Sequence, residues 1–285
     1  MTRTIQRVGV AGSGIMGSGI AQVVAQAGFD VVLRSRTQEK ADATVGRLAK
    51  QFGKLVDKGK LSEDDRDAAM ARVQAVTDLD DLSQCDLIIE SVVEDLKVKQ
   101  ELLSDLDRRC GEGTILASNT STLRIVELAN GTERADRVCG VHFFNPATVM
   151  PLVEVVPACT TSEATVDAVR RFAEDLGKHP VLAKDHAGFI VNALLFPYLN
   201  GAVQMLDEGV ATKEDIDLAM QDGCGFPMGP LALLDLIGLD TSVSILETLY
   251  DESRNPCAMP APLLKRMVAD GKLGKKSGEG FFTYD

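Results

Sequence analysis

His142 closes the apolar run Val138–Val141, and Glu154 sits inside Leu152-Val153-Glu154-Val155-Val156. A histidine can take up or release a proton near neutral pH, because its ordinary pKa of about 6.5 lies close to working conditions. A carboxylate beside it fixes the imidazole tautomer and stabilises the imidazolium, which makes a base with its orienting partner. The two residues lie equally far from position 148, in a stretch that contains Pro146 and Pro151, so a chain reversal there brings them face to face. Taken alone, His142 beside Phe143 and Phe144 reads equally well as a satisfied core residue. Glu154 is harder to read that way, since a carboxylate among valines is costly to bury without a partner.

A second group of residues is suited to holding a nucleotide. Val8-Gly9-Val10-Ala11 leads into Gly12-Ser13-Gly14-Ile15-Met16-Gly17, a G-x-G-x-x-G pattern between a strand-like run and a helix-like run. In that setting the first glycine permits a tight turn and the second lets the backbone approach a pyrophosphate. The third lets helix pack on strand, and the helix N-terminus offers its N–H groups to the phosphates. The next strand, Asp30–Leu33, is followed by Arg34-Ser35-Arg36. Ser35 lies 21 residues beyond Gly14, where an NAD site carries an acid for the ribose hydroxyls. With no carboxylate to repel a 2′-phosphate, and the Ser35 hydroxyl flanked by two guanidinium groups to bind one, the pattern predicts NADP(H) in preference to NAD(H). A charge-assisted hydrogen bond contributes about 1.5–3 kcal/mol to such a choice. The alternative is that both arginines form a solvated edge and either cofactor serves.

These residues need a scaffold, and the hydrophobic pattern predicts one. Strand-like runs at Arg7–Ala11, Asp30–Leu33, Asp86–Glu90, Thr114–Ala117, Val138–Val141, Leu152–Val156 and Pro180–Ala183 alternate with helical stretches at Ile15–Ala27, Gln38–Lys58, Glu63–Val73, Asp95–Arg109 and Ser162–Leu176. That rhythm implies an α/β, Rossmann-like doubly wound sheet covered on both faces. Beyond Lys184 only helical stretches follow: Phe189–Leu206, with Pro197 expected to kink or divide it, then Lys213–Gln221, Leu231–Tyr250 and Leu263–Ala269. We therefore expect a dinucleotide-binding domain at 1–184 and an all-helical C-terminal domain at 185–285. The nearly all-apolar first helix of the latter must be covered all round, which predicts dimerisation or packing on a neighbour.

Composition narrows the partners. The 285 residues carry a formal charge of −12, which argues against nucleic acid and anionic membranes. Six scattered cysteines without a C-x-x-C pair, and only three histidines, predict reduced thiols and no metal site. No apolar run reaches the length of a membrane span and no signal peptide is apparent, so a cytoplasmic protein is expected.

Further motifs carry a family likeness. Glu90-Ser91-Val92-Val93-Glu94, Ser118-Asn119-Thr120-Ser121-Thr122, His142-Phe143-Phe144-Asn145-Pro146, Gly188-Phe189-Ile190-Val191-Asn192, Pro227-Met228-Gly229-Pro230-Leu231 and Leu273-Gly274-Lys275-Lys276-Ser277-Gly278 occur in this order. With them the chain resembles the 3-hydroxyacyl-CoA dehydrogenases along essentially its whole length, and most closely their short bacterial members that act on 3-hydroxybutyryl-CoA.

The resemblance implies reversible oxidation of a 3-hydroxyacyl-CoA to the 3-ketoacyl-CoA, with His142 and Glu154 as the catalytic pair. It implies that Ser121 and Asn192 hydrogen-bond the substrate's 3-oxygen, that Asn119 lies near the nicotinamide, and that Glu94 and Lys99 lie near the cofactor. Read from the residues alone, Ser121 fits equally the N-cap of a helix over Leu123–Leu128, and Glu94 and Lys99 fit solvated charges. The family acid is replaced by Ser35, which touches the cofactor preference and leaves the chemistry intact. Coenzyme A is polyanionic, and Lys50, Lys54 and Lys58 recur along one face of the helix Gln38–Lys58. The family places lysines of this helix near coenzyme A; a solvated helix face is the plainer reading. Two other functions stay open at this level: a dehydrogenase of free hydroxy acids or sugar acids on the same plan, and a non-enzymatic cofactor-binding protein.

Overall fold

The computed structural model describes residues 5–284, and the chain divides into two compact units between His186 and Ala187. In the first unit, the apolar run at the N-terminus forms β1 (Arg7–Ala11), followed by α1 (Ile15–Gln26) and β2 (Asp30–Arg34). Then come α2 (Gln38–Asp57), α3 (Glu63–Ala71), β3 (Val73–Val76), β4 (Leu87–Glu90) and α4 (Leu96–Arg109). The unit continues through β5 (Ile115–Ser118), α5 (Ile125–Ala129), β6 (Val138–Phe143), β7 (Leu152–Pro157), α6 (Glu163–Asp175) and β8 (His179–Leu182).

The eight strands form one sheet in the order β3-β2-β1-β4-β5-β6-β7-β8, in which only β6 and β7 are antiparallel. Strand order reverses between β1 and β4, and in such sheets ligands bind outside the carboxyl ends of the strands at that reversal. β1, β4, β5 and β6 are buried almost throughout, as strands covered on both faces must be.

Local chemistry sets the helix starts. Side-chain oxygens of Thr37, Ser62, Asp95 and Ser162 accept from the third backbone N–H beyond them and so cap α2, α3, α4 and α6. α1 starts at Gly14 with no capping side chain.

The pattern missed β3, whose Val73 was absorbed into the preceding helical stretch. This short edge strand has two half-buried residues on one face and only one buried residue, Val76, on the other, and it lacks the continuous apolar run of the central strands. Other strand and helix boundaries lie within three residues of the sequence reading.

The second unit contains α7 (Val191–Asp207), α8 (Lys213–Cys224), α9 (Pro230–Ile237), α10 (Leu239–Ser253) and α11 (Pro262–Ala269) around an apolar core that includes Phe196, Leu199, Leu234 and Leu246. One expectation differs here. The single helix over Leu231–Tyr250 is two, parted at Gly238, whose φ of +104° lies outside helical geometry. Of the two outcomes expected at Pro197, division is excluded, since α7 runs through it. Isolated bridges join Gly274 to Glu279 and Glu279 to Thr283, so the unit is helical apart from a short terminal hairpin-like segment.

Candidate active site

The ladder between β6 and β7 puts His142 directly opposite Glu154. Their side chains meet with Nδ1 of the imidazole 2.7 Å from Oε2 of the carboxylate. Both are buried; Glu154 has no exposed surface. A carboxylate in that setting requires a partner, and Nδ1–H donating to it leaves Nε2 as the ring atom that exchanges a proton with a reacting group. The Phe144 ring lies against the imidazole at 4.4 Å between centroids.

The turn after β5 lies at the same end of the sheet. Asn119 Oδ1 accepts from the backbone N–H of Phe143, 2.8 Å away, and so ties this turn to the end of the His142 strand. Glu94, in the loop after β4, organises the turn from the other side. Its Oε1 accepts from Ser121 N at 2.9 Å, from the Thr120 hydroxyl and from Thr122 Oγ1 at 3.3 Å. Burial pushes the Glu94 carboxyl up, but the Lys99 ammonium and the bonds from Thr120 and Ser121 outweigh it and hold the pKa below the ordinary value. The N-cap reading of Ser121 does not hold. α5 starts two residues later than that reading had it, and Asp185 accepts from its first amides, Ile125 N at 2.7 Å and Val126 N at 2.8 Å.

Lys99 is not the solvated charge of the plainer reading. Only 1% exposed, its Nζ lies 2.9 Å from both Glu90 oxygens and 3.2 Å from Glu94 Oε2. The first turn of α4 points this side chain inward, onto Glu90 and Glu94. Ser118 Oγ also donates to Glu90.

The glycine loop has the shape a pyrophosphate needs. Gly12 has φ +130°, and a Cβ there would stand 2.3 Å from Ser91 O. A Cβ on Gly17 would stand 1.9 Å from Gly12 O, whereas one on Gly14 meets nothing within 4 Å. The first and third glycines are thus needed for turn and packing, and the second leaves an open face at the uncapped start of α1. Ile15 is exposed beside it, and Met16 packs against the core. Two residues the pattern did not single out brace this loop from α2: Arg47 donates to Ser13 O at 3.1 Å and to Thr44 Oγ1 at 2.9 Å. Only the fold reveals them, because α2 starts more than twenty residues after the loop.

At the end of β2, Arg34 and Arg36 line an open cleft with Thr77, Asp78, Leu79 and Arg109. Arg34 Nε donates to Thr77 O at 3.1 Å and Arg36 is exposed. Ser35 differs from the expected picture of a hydroxyl displayed between two guanidinium groups. It is 1% exposed, and its buried Oγ has no hydrogen-bond partner among the described residues. Ser35 is turned inward, with Arg34 half-buried and Arg36 exposed on either side of it. A polar atom left unpaired at this strand end and the glycine cradle both fit a dinucleotide.

Lys50, Lys54 and Lys58 are exposed along α2 and its C-cap. Asn192 belongs to the second unit, where it lies buried in the first turn of α7. Among the described residues no three His, Cys, Asp or Glu side chains cluster to hold a metal ion, and no helix is long and apolar enough to cross a membrane.

A phosphate-ready glycine loop on a doubly wound sheet, with an acid-held imidazole near the same sheet's carboxyl ends, defines a Rossmann-type oxidoreductase. Family models sharpen this. The 3-hydroxyacyl-CoA dehydrogenase NAD-binding domain matches residues 7–186, and the C-terminal domain of the same family matches 188–284. The chain belongs to the 3-hydroxyacyl-CoA dehydrogenase family. It is 47% identical to a 3-hydroxybutyryl-CoA dehydrogenase of Mycobacterium tuberculosis, over 100% of both chains. It is 44% identical to the mitochondrial hydroxyacyl-coenzyme A dehydrogenase of Sus scrofa, over 98% of this chain and 91% of that one. The crystal structure of an (S)-3-hydroxybutyryl-CoA dehydrogenase from Ralstonia eutropha superposes with a TM-score of 0.96 at 43% identity, covering 99% of this chain and 100% of that one.

Proposed function

We propose that this protein interconverts (S)-3-hydroxyacyl-CoA and 3-ketoacyl-CoA thioesters, above all 3-hydroxybutyryl-CoA and acetoacetyl-CoA, as a nicotinamide-dependent dehydrogenase. The 2.7 Å bond between His142 and Glu154 is the observation that carries the reading. The bound dinucleotide supplies the hydride acceptor or donor at the substrate's third carbon. His142 takes the 3-hydroxyl proton through Nε2 in oxidation and returns it in reduction, and Glu154 holds the tautomer and offsets the imidazolium charge. Ser121, whose amide Glu94 fixes, and Asn192 donate to the 3-oxygen as charge develops there. Asn119, tied to the end of β6, borders the nicotinamide end.

Gly12, Gly14, Ile15, Met16 and Gly17 receive the pyrophosphate. NADP(H) is the preferred form: Arg34 and Arg36 bind the 2′-phosphate, supported by their cleft at the end of β2 and the absence of a carboxylate at Ser35. Lys50 and Lys54 attract the phosphates of coenzyme A against the chain's net charge of −12. The protein works in the cytoplasm as a homodimer through its second unit, where Leu194, Val210, Leu218 and Leu236 are exposed apolar side chains.

Turnover of acetoacetyl-CoA and of free acetoacetate, each with NADPH and with NADH, tests the reading. We expect turnover of the thioester with the larger kcat/KM for NADPH. Turnover of the free acid alone contradicts the acyl-CoA reading, and equal or better kcat/KM with NADH contradicts the phosphate preference alone.

A further inference from the structure

Lys178 is buried, at 8% exposure, between the end of α6 and β8. No carboxylate pairs with it among the described residues. Its Nζ donates to two backbone carbonyls of one loop, Ala147 O at 2.7 Å and Met150 O at 2.9 Å. Burying an ammonium against neutral carbonyls costs more than burying an apolar side chain of similar volume, and burial accordingly lowers its pKa. What the ammonium adds is direction: two bonds from one atom to residues three apart.

The loop it grips, residues 144–151, joins the strand of His142 to the strand of Glu154. Its inner side is Ala147, 3% exposed, which lies against Gly19 so closely that a Cβ on that glycine would stand 3.3 Å from the Ala147 Cβ. Gly19 belongs to α1, two residues past the last glycine of the phosphate loop. The loop is further drawn together by Val149 N and Met150 N donating to Pro146 O, and it is held to β8 by His179 N donating to Pro151 O at 2.7 Å. Packing therefore runs without a break from the Lys178 ammonium through Ala147 to the helix that the glycine loop opens.

We propose that Lys178 is a positioning residue for hydride transfer, its ammonium fastening loop 144–151 onto α1 and thereby setting where His142 stands relative to the glycine loop. This rests on His142 acting as the proton carrier of the proposed function. Neither the His142–Glu154 bond nor the β6–β7 ladder needs Lys178. Its loss therefore leaves the pair bonded within the ladder and loosens the seat of α1, and with it the glycine loop, against the loop that joins the two strands.

Lys178→Met and Lys178→Gln test this in two measurements. In hydrogen exchange on the protein without ligands, we expect the amides of Val149 and Met150 to exchange about tenfold faster in Lys178→Met than in the parent, with the β6 and β7 amides unchanged. In single turnovers of acetoacetyl-CoA at saturating reduced dinucleotide, the rate per folded enzyme falls about ten- to hundredfold, since misplacement of about 1 Å is enough for that. The dinucleotide Kd stays within twofold, and the isotope effect with deuterated dinucleotide rises. Lys178→Gln, which keeps one donor, lies between parent and Lys178→Met in both measurements and carries the test if Lys178→Met does not fold. Unchanged loop exchange overturns the fastening. Faster exchange with an unaltered turnover rate and isotope effect overturns the positioning role. A parent enzyme inactive on acetoacetyl-CoA instead overturns the proposed function, while the exchange result still decides whether Lys178 holds the loop.

Discussion

His142 and Glu154 are cross-strand partners in the sheet's only antiparallel pair among the described residues, with Nδ1 and Oε2 2.7 Å apart. The antiparallel turn-back after β6 is what brings them together; a parallel crossover would have placed a helix between the two strands. Glu154 is paired with His142 of β6 on one side and with Val181 of β8 on the other, so the ladder fixes the carboxylate's backbone and the hydrogen bond holds the imidazole to it.

Replacing Glu154 by Gln keeps a hydrogen-bonding group at that place but removes the charge that offsets the imidazolium. Turnover of acetoacetyl-CoA should fall by about a hundredfold or more, the usual range for disabling a positioned acid or base. Cofactor affinity, measured by fluorescence titration, should change little. An active Glu154→Gln enzyme would show that the carboxylate serves only the fold.

Glu94 makes stability fall on acidification. Its folded pKa is below the ordinary 4.5, so the bonds it accepts from Thr120, Ser121 and Thr122 contribute fully above that value and are lost as pH falls through the depressed one. Denaturation midpoints of the parent and Glu94→Gln should therefore differ near neutrality and converge below pH 4.5. A difference that persists at acid pH speaks against the carboxylate form as the source.

Lys99→Met leaves Glu90, which has no exposed surface, without its ammonium. Breaking a buried pair from one side costs about 3–5 kcal/mol. Chemical denaturation should register that loss, and Glu90→Gln combined with Lys99→Met should recover part of it. A loss below about 1 kcal/mol, the range of exposed pairs, would place the pair in solvent.

Thiol reactivity separates the cysteines. Burial pushes Cys85 and Cys139 up to about 12 and also raises Cys110, whereas Cys159, Cys224 and Cys257 are exposed. At pH 8 at most three thiols should react in the native protein and all six after denaturation. Rapid labelling of Cys139 in the folded protein contradicts the burial of β6.

Much of the fold was legible because its central strands are covered on both faces and read as unbroken apolar runs. β3 was not, since a four-residue edge strand with a single fully buried side chain carries too little pattern. The split at Gly238 was hidden because apolar positions continue in helical period on both sides of it. At the site, the symmetry of His142 and Glu154 about position 148, and the glycine spacing, are local features that a sequence displays. The inward turn of Lys99, the bond from Phe143 N to Asn119, and the grip of Lys178 on Ala147 and Met150 are long-range contacts. They depend on which helix face and strand end meet, and no spacing rule encodes that.

His142→Gln is the most direct test of the central claim. Single-turnover reduction of acetoacetyl-CoA should slow by about a hundred- to ten-thousandfold, the share of rate that a positioned acid or base supplies, with the Kd for the reduced dinucleotide unchanged. A His142→Gln enzyme that reduces acetoacetyl-CoA at close to the parent rate would contradict the account.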